Sequence, residues 1–233
     1  MSQPILFECR MYPSRGYLLV LLILWSVAGL CGDAFKEGGE AYKRGDYAVA
    51  AAKFKEVAET GDHRAMYALG SMYASGNGVP KDYQQAFAWL SKAAGYGRTD
   101  AQYKLGLMYE IGVGVKNNPR RAIRLYDTAA KKGYAHAQFR MGLMYALGNG
   151  VNQDNIKAYA WFKTAEINYS AESAAEPADT AVMPAEGKPS GDDPFARIHA
   201  GLIQAALQDL TAVMSADEVR AAQTLAQEYL QYR

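Results

Sequence analysis

The three histidines, His63, His136 and His199, are the first residues to test as a general base or a metal ligand. They fall at unrelated places in the pattern of the chain. No cysteine or paired acid stands near them at ligand spacing, so neither a metal site nor a proton relay is expected. Asp46, Asp82 and Asp154 are recurrent carboxylates that could act as acids. Each, however, opens an apolar-periodic segment, where a short polar side chain caps free backbone N–H groups. A Gly-x-Gly element at 76–78, 112–114 and 148–150 lacks the third glycine and the Lys-Ser/Thr of a phosphate loop, and it recurs as a turn would. No catalytic residue and no cofactor is expected.

The recurrence carries more information than any single residue. His63–Tyr73, Thr99–Tyr109 and Ala135–Tyr145 align without a gap, placing Gly70, Gly106 and Gly142 at intervals of 36 residues. The same interval relates Val79, Val115 and Val151, and also Ala86, Ala122 and Ala158. A fixed period of this length marks a stack of small helical units.

Each unit reads as two helices. Ala65, Leu69, Met72 and Tyr73 share one face of the first helix. Gly70 is a poor helix former, and its return in every unit predicts close approach of another helix. Gly76-Asn-Gly78 ends that helix and reverses the chain. The second helix starts at Asp82, Asn118 or Asp154, with Pro119 in the first helical position of one unit. Trp89, Leu125 and Trp161 then occupy one equivalent position, each with an alanine four residues on. Residues 41–50 look like a further unit with a shortened loop, in which Asp46 corresponds to Asp82.

The pattern Ala-x-x-x-Leu/Met-Gly-x-x-Tyr-x-x-Gly-x-Gly-Val, then Asp/Asn-x-x-x-Ala-x-x-Trp/Leu, resembles the Sel-one-like repeat, a tetratricopeptide-like family. The resemblance covers roughly residues 34–167, with Leu125 where the family favours tryptophan and Asn118 where it favours aspartate. It implies an all-α, right-handed α-solenoid whose concave side, lined by the first helices, holds a protein or peptide. Characterised members mostly serve as adaptors. Some members have been labelled β-lactamases, but no Ser-x-x-Lys arrangement is present here.

On that concave side Tyr67, Tyr103 and Phe139 form a ladder with the repeat interval. Ser71, Leu107 and Leu143 stand one turn further on, with Glu110 beyond Leu107. The ladder has two readings. It anchors an extended peptide or helix, or its rings pack between neighbouring repeats.

The expected organisation is a targeting segment (1–32), a capping repeat (33–62) and repeats at 63–98, 99–134 and 135–167. An acidic, proline-rich insertion (168–194) and a closing helix pair (195–233) follow. Gly16–Cys31 is an uncharged run of 16 residues preceded by Arg10 and Arg15. It suits a cleaved secretory signal, with an uncleaved inner-membrane anchor or a buried helix as alternatives. The chain is accordingly read as exported, and periplasmic or tethered to the inner membrane. Leu30 before Cys31 argues against a lipoprotein site, and both cysteines, Cys9 and Cys31, fall in this segment. Charge is uneven, with 19 Lys/Arg against 13 Asp/Glu over 33–167 and 4 against 10 afterwards. Lys116, Arg120, Arg121, Arg124, Lys131 and Lys132 gather in one unit, as a solvated helix face or a surface for an acidic partner or anionic lipid head groups. Nucleic acid is not an expected partner; an envelope polymer is the alternative to a protein.

Overall fold

The computed structural model describes residues 34–174 and 194–232. The stretch read as a targeting segment and most of that read as an acidic insertion lie outside the described residues. Everything regular among the described residues is helix. The helices are α1 (34–44), α2 (Tyr47–Glu59), α3 (His63–Ser75), α4 (Tyr83–Gly95) and α5 (Thr99–Ile111), then α6 (Pro119–Lys131), α7 (Ala135–Leu147), α8 (Asn155–Ala174), α9 (Pro194–Val213) and α10 (Ala216–Leu230). Successive helices pack on one another from α2 to α9, making a helical-repeat solenoid of two-helix units. Each helix from α2 to α7 has 13 residues, so the period is kept in space as well as in sequence.

Close contact within each unit depends on the recurrent glycine. A methyl group on Gly70 would come within 2.9 Å of Leu90, one on Gly142 within 2.6 Å of Phe162, and one on Gly106 would overlap the Tyr126 ring. Leu90, Tyr126 and Phe162 are themselves buried and spaced by the repeat interval. A large side chain of the second helix therefore sits on the bare backbone of the first.

The loop glycines do two different jobs. Gly76 and Gly78 both take positive φ, 83° and 72°, which a side chain would strain. Gly78 additionally faces the carbonyl of Tyr47, at the start of the preceding unit's second helix, where a methyl group would overlap it. Gly114 meets Tyr83 and Gly150 meets Pro119 in the same way, so each loop docks on the unit before it. The loops are then closed by one recurring bond. The backbone N–H groups of Asp82, Asn118 and Asp154 donate to the carbonyls of Tyr73, Tyr109 and Tyr145 at 3.0, 2.7 and 3.0 Å.

Capping follows the expectation in three units and departs from it in one. The Asp82 carboxylate accepts from the N–H groups of Gln84 and Gln85, Asn118 from Arg121, and Asp154 from Lys157. Asp46 makes no cap bond and instead pairs with Arg44 at 3.1 Å, because the guanidinium two residues away competes for the carboxylate.

The C-terminal third differs from the sequence reading in the length of α8. Helix α8 continues to Ala174, seven residues into the stretch read as an insertion, because Asn168 and Tyr169 are buried and Asn168 donates to Gln138 at 2.8 Å. Helices α9 and α10 each pack against α8, and Ala222 of α10 is buried in one cluster with Ile203, Leu207 and Leu210 of α9. Ile203, Leu207, Leu210 and Met214 are buried with Phe162 and Tyr169, whereas Leu202 is 51% exposed. Ser215 and Glu218 close the capping box that opens α10. None of the described helices is long and apolar enough to cross a membrane.

A glycine at the end of α4 and one inside α5 should respond oppositely to alanine. Gly95→Ala meets nothing within 4 Å and should raise stability by up to about 1 kcal/mol. Gly106→Ala, which collides with Tyr126, should lower it by about 1–3 kcal/mol. Thermal unfolding monitored by circular dichroism compares the two.

Candidate interaction surface

The aromatic ladder extends one unit further than the repeats that reveal it, through Phe35. Each of its rings is covered by a group on, or capping, the helix that next takes the first-helix place. The Arg64 guanidinium lies 4.3 Å from the Phe35 centroid and that of Arg98 lies 4.9 Å from Tyr67. The Tyr134 ring lies 5.4 Å from Tyr103, and His199 of α9 lies 5.4 Å from Phe139. Tyr67 and Phe139 are consequently only 5% and 8% exposed, and Tyr103 is half-buried against Tyr126 and His136. Of the two readings of the ladder, packing between repeats describes where these rings are. They form the floor of the surface made by the first helices.

The other residues singled out by their spacing lie along that floor. Ser71 is buried and accepts a hydrogen bond from Lys104 Nζ at 3.1 Å. Leu107 and Leu143 are half-buried on α5 and α7. Glu110 joins two helices at once, accepting from the Tyr126 hydroxyl at 2.6 Å and pairing with Arg140 at 3.5 Å. Lys104 and Arg140 were not among the residues selected from the sequence, although each directly follows a ladder aromatic and they are one repeat apart. Each reaches back to the preceding unit, Lys104 to Ser71 and Arg140 to Glu110.

This polar seam is electrostatically tight. Burial first, then the hydrogen bond and charge of Glu110, push the Tyr126 hydroxyl far above the usual phenol range. Burial pushes Tyr134 up as well, with neighbouring tyrosines adding to it. Burial opposes the charge on Arg140, but Tyr103 and Glu110 outweigh it and hold the guanidinium protonated. Arg98 is held likewise by Asp100, whose carboxylate it grips with two bonds.

The histidines, unrelated in the sequence pattern, are partly brought together. His136 and His199 have ring centroids 5.2 Å apart, with Tyr169 lying 5.0 Å from the first and stacked on the second at an interplanar angle of 8°. Helix α9 creates this neighbourhood by taking the place of a further first helix. His63 stays apart, 6.0 Å from Tyr96. Among the described residues no group of three or more His, Cys, Asp or Glu is placed to hold a metal ion.

Residues 63–95, 99–134 and 135–166 each match the Sel1 repeat. The chain is a Sel1-like repeat protein. The crystal structure of a Sel1 repeat protein from Oxalobacter formigenes is similar over 83% of this chain and 84% of that one, with 26% identity and a TM-score of 0.55. A protective antigen present in uropathogenic Escherichia coli strains, displaying an SLR fold, is also 26% identical with a TM-score of 0.58. That likeness covers 90% of this chain but 48% of the antigen, so the chain spans about half of its length. No curated protein matches the chain. Sel1 repeats generally mediate protein–protein interaction.

Removal of the Glu110 carboxylate should be costly, since it leaves the buried Tyr126 hydroxyl without its acceptor and Arg140 without its ion pair. Glu110→Ala should destabilise by about 1–3 kcal/mol in urea unfolding. Raising the Tyr126 pKa in the folded state also fixes a pH dependence. The stabilisation of the neutral phenol is complete below the unfolded value of about 10 and is lost as pH rises beyond it. Wild type should lose stability above about pH 10, and Tyr126→Phe should lose less over the same interval.

Proposed function

We propose that this Sel1-like repeat protein is a non-catalytic adaptor of the cell envelope that holds a protein or peptide along the face of its first helices. The observation that carries the reading is the row Lys104, Leu107, Glu110, Arg140 and Leu143. These half-buried apolar and charged side chains run across two consecutive repeats over a floor of packed aromatics. A rigid floor orders the row before a partner arrives, which lowers the entropy lost on binding. The leucines supply apolar contact, while Lys104, Glu110 and Arg140 offer charge on both sides of it. Placement in the envelope is supported by the uncharged run Gly16–Cys31 behind Arg10 and Arg15.

Crosslinking pull-down from envelope fractions tests the groove. The variants are Leu107→Ser with Leu143→Ser, which change the row and leave the buried aromatics in place. A specific protein should be recovered with wild type and reduced about tenfold or more with the double variant. Recovery of the same proteins in equal amounts with both would reject the groove. Fractionation with mass spectrometry of the mature N-terminus tests export, and a chain found only in the cytoplasm would reject that part.

A further inference from the structure

The third Sel1 repeat is covered on its second-helix side by α10, and among the described residues no helix covers the first in that way. Helix α10 lies along α8 with the Tyr229 ring stacked on Trp161, centroids 4.1 Å apart and planes at 22°. Ala160, Thr164 and Asn168, which share one stripe of α8, are buried together with Trp161. Buried Ala222 and Ala226 let the covering helix come close, and Tyr229 stands three residues beyond Ala226.

Two repeats earlier the same positions are Ala88, Trp89, Lys92 and Tyr96 of α4 and its C-terminal cap. Here Ala88 and Lys92 are exposed, Tyr96 is 62% exposed and Trp89 is half-buried. A cleft of about 560 Å³ opens beside the indole, walled by Ala58, Met66, Trp89, Lys92 and Tyr96. The Lys92 ammonium lies 4.2 Å from the Trp89 ring centroid, so the indole has a cation where Trp161 has a tyrosine ring. The middle repeat offers no such surface, because Arg124 and Leu125 replace the alanine and the tryptophan.

We infer that the Trp89 cleft docks an amphipathic helix of another protein, one with small residues at i and i+4 and an aromatic ring at i+7. Ala222, Ala226 and Tyr229 of α10 are the internal example of that ligand. Lys92, displaced from the indole, favours an acidic residue beside the incoming ring, as Glu228 stands beside Tyr229. The site lies on α4, the end of α2 and Met66 of α3 and uses none of Lys104, Leu107, Glu110, Arg140 and Leu143, so it is independent of the groove reading.

The probe is a synthetic peptide of residues 215–233, added to the full chain labelled with 5-fluorotryptophan and observed by fluorine NMR. Trp89→Phe assigns the Trp89 signal. The expected result is a saturable shift of that signal, weakened at least about tenfold when the peptide carries Tyr229→Ala or the protein carries Ala88→Arg. Ala88 is exposed, and the substitution installs the side chain that the middle repeat has at Arg124, so the fold is preserved. A silent Trp89 signal would overturn the inference. So would a shift that neither substitution weakens, or movement of the Trp161 signal alone, which would mean only exchange with α10.

Discussion

The contact on which the rest depends is that of a large side chain against bare helical backbone, made by Leu90 on Gly70, Tyr126 on Gly106 and Phe162 on Gly142. It brings the two helices of a unit closer than any side chain on the glycine would allow. Everything outside the contact inherits its spacing. The second helix can then start only where the loop delivers it, and the loop is closed by a backbone bond to the tyrosine three residues after the glycine. A glycine costs a helix about 1 kcal/mol relative to alanine. Dense packing against a fully buried Leu, Tyr or Phe more than offsets that cost.

The features that recur were legible in the sequence, since a residue repeated every 36 positions declares a role common to all units. The close approach at Gly70, the turn at Gly76 and Gly78, and the caps at Asp82, Asn118 and Asp154 are of this kind. Legibility ended where a local competitor or a non-repeating element intervened. Arg44 takes the carboxylate of Asp46, which the period alone cannot show. His136 and His199 meet because α9 substitutes for a first helix, and no periodicity links them. The burial of Tyr67 and Phe139 depends on Arg98 and His199, residues that do not resemble one another. The second contact of Gly78, against the backbone of Tyr47, was also hidden, since positive φ alone explains a glycine there.

The two faces of the stack are built on different principles. On the first-helix face, aromatic rings are packed away and the ion pairs and hydrogen bonds of Lys104, Glu110 and Arg140 run between units. That face is stiff and its chemistry is mixed. On the second-helix face, neighbouring units share less. The equivalent stripe is alanine and lysine in one repeat, arginine and threonine in the next, and alanine and threonine under α10 in the last. Individuality of the repeats is therefore concentrated on the outer helices, while the inner ones hold the common geometry.

Docking of each loop glycine on the preceding unit makes the stack behave as a lattice with a fixed step. Gly78, Gly114 and Gly150 engage the starts of α2, α4 and α6, so an insertion or deletion of a few residues would leave one tooth of the rack without its notch. Length can change only by whole units. Because α9 and α10 make their main contacts with the last unit, α7 and α8, units can be gained or lost upstream while the end piece stays as it is. The molecule is thus a ruler of variable length with one permanent end stop.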